Sequence, residues 1–240
     1  MRVYALSDIG SMRAVNEDSY YAPREGERFC CVADGMGGHQ AGEVASALAV
    51  DIFSEQMRDV ILPVHERLRR AVTNANSAIF ERASGNENMS GMGTTITALA
   101  QEGDDVHIAH VGDSRAYLLR NRALLRVTTD HTLVEEMVLK GVITLKEARV
   151  HPKRNIITRA LGTSEKVEID MLRIRVRPGD RFLLCSDGLS GYVEEHEMAE
   201  ILNSRMKSED KIGALVDRAL DAGGKDNITA MLVSIEEVNL

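Results

Sequence analysis

The sequence predicts an α+β fold in a single domain. Segments of strand length occur in neighbouring groups, and helical segments stand between the groups rather than after every strand, which favours α+β over a strict β-α-β alternation. The 240 residues suit one large domain, no Pro/Gly/Ser-rich linker divides them, and 44 % of them are hydrophobic, which is enough for a core. We therefore treat residues 1–240 as one domain.

Eight strands are predicted from short runs that are wholly apolar or that alternate between apolar and polar residues. In chain order they cover 2–7, 28–33, 94–100, 105–111, 115–120, 167–176, 181–185 and 227–235. Each run is bounded by Gly, Asp, Asn, Ser or charged residues, which are typical of turns.

Two long helices are predicted after the second strand. Residues 64–83 follow Pro63, and proline is favoured at a helix start. Residues 41–60 repeat apolar side chains at helical spacing, which predicts one buried face. That face is marked by Val44, Leu48, Ile52 and Phe53.

A polar segment at about 130–162 follows the fifth strand and is predicted to be an inserted surface segment. It contains two short helices, at 132–140 and 144–149, and the motif Thr-Asp-His-Thr at 129–132 suits a helix N-cap. Two further helices are predicted at 194–203 and 208–222, and the sequence Ala-Gly-Gly ends the second one.

Charge and composition exclude several classes of protein. The net charge of −8 disfavours a nucleic-acid-binding or anionic-membrane surface, since both need a basic face. The first residues, MRVYAL, resemble a strand rather than a leader, and no apolar run approaches 18 residues, so we expect no membrane span. Cys30, Cys31 and Cys185 include no Cys-x-x-Cys pair, which disfavours zinc and indicates buried thiols in a reducing cytoplasm.

One construction recurs along the chain: an acidic residue beside glycine or asparagine at the end of a strand. Asp34, Asp113 and Asp187 follow apolar strands, and Asp226 directly precedes one. Glu17 and Asp18 stand side by side after the first strand. Any single Asp-Gly pair is explained by a turn, because Asp bonds its own backbone and Gly accepts positive φ. The repetition instead indicates carboxylates that converge on one edge of facing sheets.

Converging carboxylates without His or Cys suit hard cations such as Mg²⁺ or Mn²⁺. Gly35, which lacks a Cβ, would let the backbone approach such an ion and offer a carbonyl. Two ions can hold a bridging water and lower its pKa, a chemistry that suits phosphate-ester hydrolysis. Arg13 lies three residues before the Asn16-Glu17-Asp18 group and could grip a phosphate, although an ordinary surface arginine is the alternative.

Eight motifs in order resemble the bacterial metal-dependent Ser/Thr protein phosphatases of type 2C, the PPM family. The motifs are RAVNED, VADGMGGHQAGE, GMGTT, HVGDSRAYLLR, TTDHT, ITRALG, CSDGL and KDNIT, and they span nearly the whole chain. The resemblance implies a four-layer α/β/β/α sandwich, in which helix pairs flank two facing antiparallel sheets. It also implies that the segment at about 130–162 is a flap beside the catalytic cleft.

The resemblance assigns roles to the acidic residues and to Arg13. Asp34 would bridge two Mn²⁺ or Mg²⁺ ions, and the Gly35 carbonyl would bind the second ion. Asp187 and Asp226 would bind the first ion, and Asp113 with Asp187 would hold a third, weaker one. Glu17 and Asp18 would act on the second ion's side, largely through waters. Arg13 would bind the substrate phosphate.

One position departs from the family pattern. Some members carry a histidine directly after the Asp-Gly and use it as general acid, but this chain has Met36 there. His39 is a candidate for that role, the alternatives being an ordinary loop histidine and a proton supplied by a metal-bound water. His131 and Arg159 are secondary candidates. We expect His131 to be structural, and Arg159 either to touch a phosphoprotein or to pair with an acid.

The predicted function is hydrolysis of phosphoserine and phosphothreonine in proteins by a metal-bridging hydroxide, without a phosphoenzyme. The alternatives are a catalytically weak phosphoprotein-binding regulator of a kinase and a phosphatase for small molecules. By resemblance the partners are phosphorylated proteins, among them a Ser/Thr protein kinase and its substrates. We expect a monomer in the cytoplasm, with no nucleic-acid partner.

Overall fold

The computed structural model describes residues 1–37, 41–85, 89 and 91–235. The strands are β1 (Arg2–Asp8), β2 (Asp18–Tyr21), β3 (Phe29–Met36), β4 (Gly93–Thr94), β5 (Ile96–Glu102), β6 (Asp105–Val111), β7 (Arg115–Arg120), β8 (Ala123–Arg126), β9 (Asp170–Arg175), β10 (Arg181–Cys185) and β11 (Ile228–Ser234). The helices are α1 (Ala41–Met57), α2 (Val64–Ser84), α3 (Leu133–Leu139), α4 (Leu145–Val150), α5 (Asp187–Ser190), α6 (Glu195–Asn203) and α7 (Ser208–Asp221).

The strands form two antiparallel sheets. The first sheet has the order β1-β11-β10-β7-β8, so it joins the start of the chain to its last described strand. The second sheet has the order β2-β3-β5-β6-β9, and β4 also pairs with β3. The strand that contains Asp34 and the strand that precedes Asp187 therefore belong to different sheets. Only the packing of the two sheets can bring these residues together.

Three apolar layers stack the sheets and helices into a four-layer sandwich. One layer packs α1 and α2 against the second sheet, and another packs α5, α6 and α7 against the first sheet. Between the sheets lies a third layer, with Cys30, Val32 and Leu99 on one side and Phe182 and Leu184 on the other. The α+β class and the α/β/β/α layering predicted from the sequence are confirmed.

The buried face of α1 differs from the predicted one. Of the four residues predicted to mark it, only Phe53 is fully buried. Small residues such as Ala45 and Ala49 face the sheet instead, and the larger Val44, Leu48 and Ile52 pack only partly buried at the edge of the same core. Small side chains allow the helix axis to approach the sheet closely, and an apolar count alone does not show this.

Several short elements and some boundaries differ from those predicted. Strands β2 and β8 and helix α5 were not expected, and β9 is shorter than the predicted 167–176 strand. Strand β2 has the sequence Asp-Ser-Tyr-Tyr, in which polar and half-buried residues mask the alternation. Its position at the sheet edge, paired only with β3, explains why so little apolar surface is needed.

The segment 130–162, here called the flap segment, holds α3 and α4 between β8 and β9. Thr132 caps α3 by accepting a hydrogen bond from the Glu135 amide, and Thr144 with Glu147 forms a capping box at α4. The predicted N-cap in the Thr-Asp-His-Thr motif is therefore present. Within the described ranges, no helix combines the length and apolar character that a membrane span requires.

Candidate functional site

Two carboxylates of the second sheet point into the gap between the sheets. Asp34 lies in β3 two residues after Val32, and Cys30 and Val32 fill the inter-sheet core. Because side chains two residues apart in a strand share a face, the Asp34 carboxylate faces the first sheet. Asp18, at the start of β2, is the direct cross-strand partner of Asp34 and faces the same way.

Three more acids reach the same edge from other elements. Asp187 is the first residue of α5 and lies two residues after the end of β10. Asp226 lies two residues before β11, the neighbour of β10. Asp113 follows β6 of the second sheet and is buried. All three line one cavity of about 490 Å³ that opens towards the flap segment. The acids predicted at strand ends are thus brought to one side of the sandwich.

Hydroxyl groups of the first sheet orient Asp18. The Ser186 and Thr229 hydroxyls each donate a hydrogen bond of 2.7 Å to Oδ2 of Asp18. These bonds cross from one sheet to the other, so they also tie the two sheets together at the site. The second oxygen, Oδ1, is buried without a hydrogen-bond partner in the structure.

Two threonines hold the backbone at Asp34. The Asp34 amide donates to the Thr95 hydroxyl at 2.9 Å, and the Thr94 hydroxyl donates to the Asp34 carbonyl at 2.9 Å. Thr95 in turn shares a hydrogen bond of 2.7 Å with Ser114, next to Asp113. The threonines of the Gly-Met-Gly-Thr-Thr motif therefore position the acid at the centre of the cluster.

Burial and mutual repulsion raise the pKa values of the clustered carboxylic acids. For Asp34, burial is the largest cause, followed by the charge of Asp18 and then those of Asp187, Asp113 and Asp226, and its pKa lies well above the ordinary value. Burial raises the pKa of Asp18 to about 7 against the opposing hydrogen bonds of its hydroxyl donors. Burial and the charge of Asp226 raise the pKa of Asp187 to about 6. The full set cannot ionise near neutral pH unless a positive charge joins it.

The donor set fits divalent metal ions. Buried carboxylate oxygens of Glu17, Asp18 and Asp113 lack hydrogen-bond partners in the structure. Such atoms carry a desolvation cost that a hard cation would remove, and an all-oxygen set is the kind that Mg²⁺ and Mn²⁺ prefer. We therefore infer that the residues present are compatible with the predicted ions.

Protein partners orient two of the clustered acids. Asp226 is turned towards Arg13, and Asp18 is turned towards the Ser186 and Thr229 hydroxyls. In the described part of the chain, no group of three or more His, Cys, Asp or Glu side chains is positioned to hold a metal.

Arg13 lies at the mouth of the acidic cluster. Its guanidinium is 2.7 Å from Oδ1 of Asp226 and 3.6 Å from Oε2 of Glu17, and 44 % of its side chain is exposed. A planar, partly exposed guanidinium beside the carboxylates can turn towards an anionic group of a ligand. The position agrees with the predicted phosphate-binding role, which stays a prediction.

Gly35 is required by close packing. A Cβ at this position would lie 2.1 Å from the Gly42 carbonyl oxygen and 2.6 Å from the Glu17 carbonyl oxygen. The Gly35 amide also donates a hydrogen bond of 3.0 Å to that Glu17 carbonyl. The glycine thus lets β3, α1 and the Glu17 loop meet, and its role as a carbonyl ligand stays a prediction.

The secondary candidates differ in outcome. His39 lies outside the described residues. His131 accepts a hydrogen bond of 3.0 Å from the Gly112 amide, next to Asp113, so it has the structural role that was expected. Arg159 lies 2.8 Å from Asp170 and 3.2 Å from Glu168, which favours the ion-pair alternative over contact with a phosphoprotein.

Several residues that organise the site were not predicted from the sequence. Arg115, which is partly buried, and Asp130, which is buried, form a bidentate ion pair in the cavity wall. The Asn227 amide group donates to the Ile9 and Val15 carbonyls, and its oxygen accepts from the Glu17 amide. Asn227 therefore fastens the loop that carries Arg13 and Glu17. The only signal in the sequence is that both Asn227 and Arg115 follow an acid of the recurrent construction.

Comparisons with known proteins agree with this geometry. The family model "Protein phosphatase 2C" matches residues 11–232. The chain is 41 % identical over 234 residues to the serine/threonine phosphatase Stp of Listeria monocytogenes, covering 95 % of this chain and 93 % of that protein.

Solved structures show the same architecture. The crystal structure of the Mycobacterium tuberculosis serine/threonine phosphatase PstP/Ppp superposes with a TM-score of 0.92 at 41 % identity, covering 98 % of this chain and 99 % of that one. A structure of the PstP catalytic domain in complex with two manganese ions superposes with a TM-score of 0.88 at 40 % identity, covering 96 % of each chain.

Proposed function

The chain belongs to the protein phosphatase 2C family, and we propose that it hydrolyses phosphoserine and phosphothreonine in proteins with the help of Mn²⁺ or Mg²⁺. The observation that carries this proposal is the meeting of five acids from both sheets beside an exposed arginine. The relatives of this chain include proteins named serine/threonine phosphatase and serine/threonine protein phosphatase. The structure of the PstP catalytic domain, which is similar to this one, was solved in complex with two manganese ions.

The residues that would hold the ions are those predicted from the sequence. Asp34, on whose pKa the charges of four other aspartates act, would bridge two ions. Asp187 and Asp226 would hold the first ion, and the Gly35 carbonyl would bind the second. Glu17 and Asp18 would act on that second side largely through waters, and Asp113 with Asp187 would hold a third, weaker ion. When bound, the ions would supply an activated water, in hydroxide form, and neutralise charge on the phosphate.

Arg13 would bind the phosphate. If Asp226 bound an ion, its 2.7 Å contact with Arg13 would be given up, and the guanidinium could then donate to phosphate oxygens. Attack of water on phosphorus then breaks the bond to the serine or threonine oxygen, and that oxygen must gain a proton. Met36 cannot supply the proton because a thioether has none to give, so His39 remains the predicted, untested donor beside a proton from water.

The decisive experiment measures hydrolysis of p-nitrophenyl phosphate and a phosphoserine peptide with Mn²⁺, with Mg²⁺ and with EDTA. We expect activity that requires the metal, and a loss of at least a hundredfold in Asp187→Asn, because that variant removes a charged ligand. Asp8→Asn is the control: Asp8 is another aspartate at the end of a strand, and its Oδ1 accepts a hydrogen bond of 2.7 Å from the Gly10 amide, a bond that asparagine keeps. Normal turnover by a folded, Mn²⁺-saturated Asp187→Asn variant would refute the proposal.

The same assay separates the two alternatives. A catalytically weak regulator of a kinase would bind the phosphopeptide without hydrolysing either substrate. A small-molecule phosphatase would hydrolyse free phosphoserine as well as the peptide, whereas we expect the peptide to have the higher kcat/KM. A kinase partner, a monomeric state and a cytoplasmic location belong to the same proposal and rest on the family alone.

A further inference from the structure

The cavity beside the acidic cluster is also lined by arginines. Asp113, Asp187 and Asp226 line it together with Arg149 and Arg154 from the flap segment. A ligand whose phosphate lies among the acids therefore places its neighbouring groups against the flap segment. The charges on that side decide which neighbouring groups are accepted.

Three of the four arginines in the cavity wall already have a carboxylate partner. Arg115 pairs with Asp130, Arg126 with Glu135, and Arg149 with Glu194 across the gap between the flap segment and the start of α6. These charges are neutralised within the protein. They offer little net attraction to a ligand.

Arg154 differs from the other three. Its Nη1 donates a hydrogen bond of 3.0 Å to the Arg149 carbonyl, and no carboxylate of the described residues lies within ion-pair distance of it. One hydrogen bond to a neutral carbonyl leaves its other donors and its whole charge available. The residue is exposed, so an incoming group can reach it.

Tyr192 lines the same cavity as Arg154, Asp187 and Asp226. Its ring is half-buried in the same cavity wall. Burial raises the pKa of its phenol, and the charge of Arg154 opposes that rise. The charges of Asp226 and Asp187 add to the rise. Arg154 and these two acids therefore face one cavity, and a ligand bound at the acids can also reach Arg154.

We propose that Arg154 forms a second anion subsite, which binds an acidic side chain or a second phosphate next to the phosphorylated residue of the substrate. The inference rests on the proposed phosphatase function and specifies its substrate class. An extended peptide rises about 3.3 Å per residue, so a group one to three residues away lies about 3–10 Å from the phosphate, within reach of the cavity. A guanidinium is well suited to carboxylate and phosphate alike.

The test compares phosphoserine peptides of one parent sequence. Each position from three before to three after the phosphoserine is occupied in turn by Asn, Asp, phosphothreonine or Lys, and the preference is the ratio of kcat/KM to that of the Asn peptide. For the wild type we expect a preference on the order of five- to tenfold for the anionic residue at one or two positions, mainly through KM, as for a partly exposed charged hydrogen bond. Higher salt should weaken the preference.

Variants assign the preference to Arg154. We expect Arg154→Gln to bring the ratio near one, and Arg154→Glu to favour the Lys peptide. Lys153→Gln, which removes a neighbouring exposed charge outside the cavity lining, should keep the wild-type ratio. A preference for the phosphothreonine peptide alone would show that the Arg154 subsite binds a second phosphate. A preference for both the phosphothreonine and the Asp peptides would show that it binds either anion.

Two results would overturn the inference while the phosphatase function stands. One is an active wild type with ratios near one at every position, and the other is an Arg154→Gln variant that keeps the wild-type ratio. A wild type that does not hydrolyse p-nitrophenyl phosphate with Mn²⁺ would overturn the proposed function, and the inference with it. The outcomes of the two proposals are therefore distinguishable.

Discussion

At the residue scale, buried polar side chains around the acids are held by bonds that cross between elements. The Ser186 and Thr229 hydroxyls of one sheet donate hydrogen bonds to Asp18 of the other. His131 accepts a hydrogen bond from the amide of Gly112, which precedes Asp113. Such outer contacts orient ligands in advance of an ion or a substrate. The backbone around the acids is consequently held in place by these contacts, and Asp226 is held by its ion pair with Arg13.

His110 gives a prediction on pH. It is fully buried, with Nδ1 3.0 Å from the Thr97 hydroxyl and Nε2 3.1 Å from the Thr129 carbonyl. Burial, followed by the charge of His131, lowers the pKa of His110 from 6.5 to about 4. Between these values the unfolded chain binds a proton that the folded chain does not. The free energy of unfolding should therefore fall as pH drops from about 6.5 towards 4.

Urea unfolding of the wild type and His110→Gln at several pH values checks this. Between about pH 6.5 and 4, His110 should account for a loss in the free energy of unfolding on the order of 3 kcal/mol. The reason is that one pKa unit corresponds to about 1.4 kcal/mol. Both proteins should be compared with EDTA present, so that metal binding does not contribute. Parallel stability curves for the two proteins between pH 7 and 5 would contradict the assignment.

At the scale of elements, close packing of α5 against β11 brings Asp187 towards Asp226. Gly188, the second residue of α5, has no room for a side chain, because a Cβ there would lie 1.9 Å from the Asn227 carbonyl oxygen. Gly35 serves the same purpose between β3 and α1. Glycine in these motifs is therefore explained by contact between elements, in addition to the turn conformation that the sequence suggests.

A pair of glycine variants tests this explanation. Gly188→Ala should destabilise the fold by about 1–3 kcal/mol, as expected for overpacking against backbone, and should reduce Mn²⁺ affinity. Gly213→Ala in α7 should instead stabilise the protein by about 0.5–1 kcal/mol, because nothing lies within 4 Å of the added Cβ and alanine favours a helix. Thermal or chemical unfolding measures both, and equal effects of the two substitutions would contradict the packing argument.

At the scale of the whole molecule, two sheets pack face to face, and at one edge they bring together acids that resist joint ionisation. The apolar layer between the sheets includes Phe182, Leu184 and Val32 and is fully buried. It holds Asp34 next to four other carboxylates whose charges raise its pKa. The fold therefore keeps a locally unfavourable arrangement for function, as is common at active sites.

Near neutral pH the unfolded chain can ionise Asp34, whereas the metal-free folded chain resists its ionisation. Replacement of Asp34 by a side chain that cannot ionise should therefore stabilise the metal-free protein. We expect Asp34→Asn to raise the free energy of unfolding in EDTA by about 1–3 kcal/mol, which is the scale of one uncompensated buried polar group. In Mn²⁺ the order should reverse, because the wild type gains binding energy that the variant cannot. Thermal unfolding with and without Mn²⁺ provides the measurement. A variant that is less stable than the wild type in EDTA would show that the charges are not in conflict.

Local patterns in the sequence predict much of this protein. Alternating and apolar runs predict eight of the strands, helical spacing predicts six helices, and acids at strand ends identify Asp34, Asp113, Asp187 and Asp226 as candidate ligands. These features depend on the periodicity of strands and helices and on turn chemistry, which a few consecutive residues express. The family resemblance supplies the layer order and the roles.

Other features depend on which elements face one another, and local patterns carry no information about that. The buried face of α1, the hydroxyls that hold Asp18, the ion pair of Arg13 with Asp226 and the unpartnered Arg154 all involve residues distant in the chain. Nothing in the local sequence marks these side chains. Their contacts form only when the two sheets and the flap segment pack together. The packing of distant segments decides which residues become neighbours, because close packing of the interior depends on how well whole surfaces fit together.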